Sequence, residues 1–146
     1  MGNADLVAFG RQSLADPHTP QKAMEERLED LTPCIACLQG CVANMYAGKP
    51  ICCLVNPVLG HEKEGLPKAE KVKKVYVIGG GVAGMSAATV AASRGHHVTL
   101  FEATNEVGGQ FNLAKVVPGK EEFHETIRYF KVQLEKTGVD LRLNTK

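Results

Sequence analysis

All five cysteines of this 146-residue chain lie between Cys34 and Cys53, and that crowding constrains the fold more than any other feature. A secreted domain held by disulfides spreads its cysteines to tie distant segments together. Thiols packed into one short segment read instead as a local metal site. The spacing is Cys34-x2-Cys37-x3-Cys41-x11-Cys53, with Cys52 as an adjacent spare. Structural zinc sites favour two separated Cys-x2-Cys knuckles; three thiols in one loop and a fourth from a second suit an iron–sulfur cluster better. The apolar filling of Ile35, Ala36, Leu38, Val42, Leu54 and Val55 would keep water from the sulfurs and help set the potential. On spacing alone, zinc and unligated buried cysteines stay open, and Cys53 is not separated from Cys52 as the fourth thiol.

The rest of the first half is read around this segment. Residues 4–10 form a short apolar run ending at a glycine and predict a buried strand. Residues 11–15 read as a turn or short helix, stopped by Asp16-Pro17. Residues 20–31 predict a polar helix, with Pro20 in its first turn and Ala23, Leu28 and Leu31 as a partial apolar stripe. Pro33 ends it and delivers the chain to Cys34. Asn56-Pro57 and Gly60 are breakers, and the charged residues of 61–74 around Gly65 and Pro67 read as a solvated linker.

The second half changes character. Residues 72–78 are β-rich, and residues 82–94 are alanine-rich and helical, with Gly95 at the natural C′ position. Residues 97–101 read as a short buried strand. Residues 121–137 carry Phe123, Ile127, Phe130 and Leu134 at helical spacing, with Gly138 just beyond. Residues 139–143 alternate as a strand does, and there is no internal repeat. An open dinucleotide fold needs more strands than the three after residue 72, and the run at 4–10 has no strand partner nearby. The expectation is a segment of a longer protein.

Between the first of these strands and its helix lies Gly79-Gly80-Gly81-Val82-Ala83-Gly84, a Gly-x-Gly-x-x-Gly turn. Gly79 permits the tight turn, Gly81 lets backbone approach a pyrophosphate, and Gly84 allows close helix–strand packing. The helix N-terminus then offers free N–H groups and a positive dipole end to phosphates. Such a motif alone is weak, but here it has a strand before it, a helix after it, and Glu102 ending the next strand. A carboxylate there accepts hydrogen bonds from ribose hydroxyls and repels a 2′-phosphate. The second glycine pair, Gly108-Gly109, following an acidic strand end, resembles the FAD-binding half of two-dinucleotide flavoproteins, which favours FAD over a nicotinamide cofactor.

In order and over nearly the whole chain, these segments resemble the bacterial 2,4-dienoyl-CoA reductase, enoate reductase and trimethylamine dehydrogenase group of the old yellow enzyme superfamily. Gly10-Arg11 followed by Leu14-Ala15-Asp16 is similar to the end of the family's (β/α)8 barrel, where a glycine–arginine turn meets the FMN phosphate. Cys34, Cys37, Cys41 and Cys53 match its 4Fe-4S ligands, with Cys53-Leu54-Val55-Asn56-Pro57 as the fourth-ligand segment. The runs 108–115 and 118–123 are most similar to the dienoyl-CoA reductase branch. By that likeness Ala83, Glu102, Gln110 and Lys120 are FAD contacts, and for Lys120 the likeness is the sole warrant.

The resemblance implies an α/β chain: residues 1–17 as the last strand and FMN turn of a barrel, 18–65 as the cluster segment, 66–74 as a linker, and 75–146 as a partial Rossmann-like FAD-binding βαβ unit. It implies a parent enzyme in which hydride passes from NAD(P)H to FAD, electrons cross the 4Fe-4S cluster singly, and reduced FMN reduces an activated double bond of an enoate or an enoyl- or 2,4-dienoyl-CoA. The family's substrate-reducing tyrosine and histidine belong to the barrel, so no catalytic acid or base is named here. His18, His61, His96, His97 and His124 read as surface or packing residues. Rival readings are a non-catalytic electron carrier, an amine dehydrogenase relative holding ADP, and a zinc-stabilised nucleotide-binding regulator. Seventeen basic against sixteen acidic side chains leave a formal charge of +1, so no global field recruits nucleic acid or a membrane. With no basic-then-apolar signal pattern, the expected setting is the cytoplasm and the expected partner a small-molecule substrate.

Overall fold

A computed structural model describes residues 4–146. The chain divides into two units between Glu62 and Lys63.

The first unit is mostly irregular. It holds three short helices, α1 (Arg11–Ala15), α2 (Thr19–Met24) and α3 (Val42–Tyr46), and one 3-10 turn at Leu28–Asp30. Its buried apolar side chains, among the described residues, are Ala15 and Ile35, so little of its stability comes from a core. Polar side chains bonded to backbone take that role. The carboxylate of Asp16, 3% exposed, accepts from the Lys22 ammonium at 2.7 Å, the Thr32 N–H at 3.0 Å and the His18 N–H at 3.1 Å. The Gln12 amide donates to the Thr19 hydroxyl and the Thr32 carbonyl, and accepts from the Cys34 N–H at 2.9 Å. Asn56 donates to the Leu14 carbonyl at 2.9 Å and accepts from the Val58 N–H. These three side chains fix where the cysteine loop leaves and returns.

Two sequence expectations fail in this unit. The run at 4–10 forms no strand: Leu6, Val7 and Phe9 are exposed, Leu6 at 91%, because the described residues give it no ladder partner; positions 1–3 lie outside the described residues. The helix expected over 20–31 stops at Met24, and Glu26 adopts φ of 56°. Ala23 and Leu28 of its apolar stripe stay exposed; a short helix without a buried apolar face is marginal.

The second unit is a three-stranded parallel sheet in the order β1 (Lys74–Ile78), β2 (His97–Phe101) and β3 (Asp140–Arg142), backed by α4 (Val82–Ser93) and α6 (Glu122–Lys136), with the short α5 (Phe111–Ala114) before α6. Lys74 pairs with His97 and Ile78 with Phe101; Thr99 pairs with Asp140. Alternation along β2 sends Val98 and Leu100 inward. They meet Met85 and Ala88 of α4, Phe130 and Leu134 of α6, and Val107. The opposite face carries Tyr76 and Ile78 exposed, with the Tyr76 and Phe101 ring centroids 5.9 Å apart. Both long helices end where glycine predicts, Gly95 at φ 100° and Gly138 at φ 72°. The last strand is shorter than the expected 139–143, and all three of its residues are exposed; the residues flanking it, Val139 and Leu143, are the ones packed against the core. No helix of the described residues is long and apolar enough to cross a membrane.

Candidate functional site

Within the second unit the glycine-rich turn is built by close backbone approach. Gly79 leaves β1 at φ 99°, a left-handed conformation that a side chain resists. A Cβ on Gly84 would lie 1.9 Å from the Gly79 carbonyl oxygen, so α4 seats directly on the turn only because residue 84 lacks one. A Cβ on Gly81 would meet nothing within 4 Å, so backbone there faces open space and the first N–H groups of α4 beside it are approachable. Ala83, in that first turn, is exposed.

The second glycine pair lies on the first. Gly108 donates to the Gly80 carbonyl at 2.8 Å and bridges Gly81, and a Cβ on Gly109 would stand 3.2 Å from the Gly81 Cα. Asn112 pins this crossing by donating to the Val107 carbonyl at 3.0 Å.

Glu102 is 8% exposed and staples the turn from below. Its Oε2 accepts from the Gly80 N–H at 2.6 Å; its Oε1 accepts from the Thr104 N–H at 2.8 Å and the Thr104 hydroxyl at 2.9 Å. These bonds, the Thr104 N–H first and the Gly80 N–H second, hold its pKa below the usual carboxylate range despite burial. A carboxylate offers about four lone-pair sites, so this one keeps acceptor capacity for a further donor. Its backbone is tied to the end of β3: Glu102 N–H to the Arg142 carbonyl, and Thr145 N–H to the Glu102 carbonyl, both at 2.9 Å. A cleft of about 390 Å³ opens at the carboxyl ends of β1 and β2, lined by Ile78, Gly79, Phe101, Glu102, Ala103 and Thr145 among others. That is where open α/β sheets take ligands. The open backbone at Gly81, the seated helix and the cleft fit a dinucleotide.

Of the residues expected at this site, Gly79, Gly81, Gly84 and Glu102 converge on one turn. Gln110 is exposed at the N-cap of α5, and Lys120 is exposed ahead of α6 with its ammonium 5.8 Å from the Phe123 ring centroid. Sequence reasoning missed Gly80, the "x" of the motif. A Cβ there would stand 3.0 Å from both Glu102 Oε2 and Val107 Cγ1, and the run of three glycines was the available signal.

In the first unit all five cysteines, none in a disulfide, line one small apolar cavity of about 20 Å³ together with Arg11, Leu14, Ile35, Leu38, Leu54 and Val55. Ala36 and Leu38, alternating with Cys37, sit at φ 51° and 59°, so the loop coils tightly around the cavity. Among the described residues no group of three or more His, Cys, Asp or Glu side chains is set to hold a metal ion. The donor set is all soft sulfur in an apolar wall, which fits a thiolate-ligated cluster. Gly10 is the N-cap of α1, and Arg11, expected at a phosphate, borders the thiol cavity.

Residues 73–146 match the pyridine nucleotide-disulphide oxidoreductase family. The chain is 42% identical over 144 residues to cinnamate reductase of Clostridium sporogenes, covering 98% of this chain and 22% of that protein. A 2-naphthoyl-CoA reductase structure superposes with a TM-score of 0.95 at 40% identity, covering 99% of this chain and 22% of that one. A histamine dehydrogenase structure from Rhizobium sp. 4-9 superposes with a TM-score of 0.88 at 31% identity, over 99% of this chain and 22% of that one. The chain thus spans about a fifth of the length of the proteins it matches. With a dinucleotide turn on a parallel sheet and named reductases matching it end to end, the chain belongs to the pyridine nucleotide-disulphide oxidoreductase family, as that family occurs in the ene-reductases of the old yellow enzyme type.

Proposed function

We propose that this chain is the electron-relay portion of an NAD(P)H-dependent flavoenzyme that reduces activated carbon–carbon double bonds of enoate or enoyl-CoA type. The observation that carries the reading is the pairing, in one chain, of a cavity lined by five free thiols with a double-glycine dinucleotide turn.

In this reading Gly79, Gly81 and Gly84 shape a backbone cradle for the FAD diphosphate, and the α4 N-terminus beside Ala83 supplies N–H donors and a positive dipole end. The spare lone-pair capacity of Glu102 takes a ribose hydroxyl, while Gln110 and Lys120 contribute on the flavin side. Cys34, Cys37, Cys41 and Cys53 ligate a 4Fe-4S cluster, and Gly10-Arg11 meets the phosphate of FMN. When bound, these groups would supply hydride acceptance, single-electron passage and delivery to substrate. The apolar wall of Ile35, Leu38, Leu54 and Val55 excludes water from the sulfurs, and the Gln12 bond to the Cys34 N–H fixes the first ligand's backbone. Five free cysteines go with a cytoplasmic setting, where thiols stay reduced. The likeness to histamine dehydrogenase favours a second reading, the same relay run toward amine oxidation.

The test is an ultraviolet–visible spectrum with iron, sulfide and flavin analysis on the anaerobically purified chain. About four irons and four sulfides, with FAD bound or taken up, is the expected result. Zinc without sulfide would overturn the relay. In the longer protein, turnover of an enoate or enoyl-CoA against turnover of an amine separates the two readings.

A further inference from the structure

We infer that Gly40 is the seat of the second thiol limb and that Cys52 is the anchor pressed into it, which leaves Cys53 free to serve the cluster; this rests on the iron–sulfur reading above. Three of the sulfurs come from one loop, and the fourth arrives on a limb more than ten residues later, so something has to register the two. Gly40 is buried, and a Cβ on it would lie 2.5 Å from the Cys52 carbonyl oxygen and 2.9 Å from the Cys52 sulfur. Ordinary contact begins at 3.4 Å, so the two backbones approach only because residue 40 has no side chain. The Cys52 N–H donates to the Gly40 carbonyl at 2.8 Å, which locks the limbs in register.

Asn44, on the face of α3 nearest this contact, completes the seat. Its amide donates to the Pro50 carbonyl at 3.0 Å and stands 3.7 Å from the Cys52 sulfur. Cys52 therefore has its N–H held by Gly40 and its sulfur by Asn44, with its carbonyl packed where a side chain on residue 40 would stand, and the residue is exposed, whereas Cys53 is half-buried. A thiolate–iron bond is short and directional, so displacing the limb costs the fourth ligand even though residue 40 touches no metal. Gly40 and Asn44 are positioning residues for the cluster.

The test compares wild-type chain with Gly40→Val, Asn44→Ala, Cys52→Ser and Cys53→Ser, each purified anaerobically. Iron and sulfide per chain, cluster absorbance and iron loss to a chelator are read, with the melting of residues 63–146 as a folding control. Gly40→Val is expected to release iron about tenfold faster, Asn44→Ala a few-fold faster, and Cys52→Ser within about twofold of wild type, while Cys53→Ser loses the cluster. Wild-type iron retention in Gly40→Val, or loss in Cys52→Ser equal to that in Cys53→Ser, would overturn the assignment. Should Gly40→Val unfold the first unit, Asn44→Ala carries the test, and wild-type retention there overturns it. Amide exchange at Cys52 reads the seat without any metal. In wild type holding no cluster, the relay reading fails but the seat is still judged, since Gly40→Val should speed that exchange about tenfold and an unchanged rate would refute it.

Discussion

The two halves of this chain hold backbone in unfavourable places by opposite means. The second unit has a conventional core: Met85, Ala88, Leu100 and Leu134 are buried against one another, and the glycine turn is a small irregularity on top of that platform. Among its described residues the first unit buries two apolar side chains, Ala15 and Ile35, and is laced instead by Gln12, Asp16 and Asn56. A site on a packed sheet can be shaped before its ligand arrives. On the proposed iron–sulfur reading, a thiol loop with so little apolar burial draws much of its stability from the cluster.

The sharpest way to break that contrast is to remove a thiol. Cys37→Ser should collapse hydrogen-exchange protection across residues 11–56 and leave residues 74–142 unchanged; loss spread evenly over both would refute the division. In the longer protein the same change should leave NADH-driven reduction of FAD intact and stop reduction of FMN. Next in size, Gly84→Val drives a side chain into the Gly79 carbonyl and should destabilise the second unit by about 3 kcal/mol. Denaturant unfolding should show this while hydrogen-exchange protection in the first unit stays unchanged.

Glu102→Gln tests the staple more finely. Because folding depresses the pKa of Glu102, its contribution is fully present above the unfolded carboxylate value and is lost as pH falls through the lower folded value. The variant should lose about 1 kcal/mol at neutral pH and show a flatter acid limb in its melting curve. A parallel shift at every pH would mean that the charge is immaterial. Smallest of all, Leu38→Gly should relieve a left-handed backbone in the first unit and stabilise it by about 0.5–1 kcal/mol, seen as a small rise in its exchange protection. A drop would mean that the Leu38 side chain matters more to the cavity wall than its backbone strain costs.

What was legible in the sequence follows the same division. Of the second unit's helices, α4 could be read from its alanine-rich composition and α6 from its periodicity, each closed by a glycine, Gly95 and Gly138; the short α5 was not read. The cysteine spacing and the G-x-G-x-x-G turn were legible as motifs. The strand read at 4–10 was not recoverable in this chain, because a strand exists only with a partner and no local residue announces one. The helix over 20–31 was overestimated for the kindred reason that Ala23 and Leu28 of its apolar stripe stay exposed. Glu102 was found, but its engagement by Gly80 and Thr104 was not, since a carboxylate's partners come from the fold. Gly40 and Cys52 were invisible as a pair because their relation is a distance between backbones.

The tie between Glu102 and the end of β3 also sets an order of events. As the ribosome extends the chain, the glycine turn emerges first, and its acidic staple follows some twenty residues later. The staple's backbone then waits for Arg142 and Thr145 to be made. A nascent chain halted before Asp140 would carry every glycine of the motif and still lack the backbone that ties down its staple.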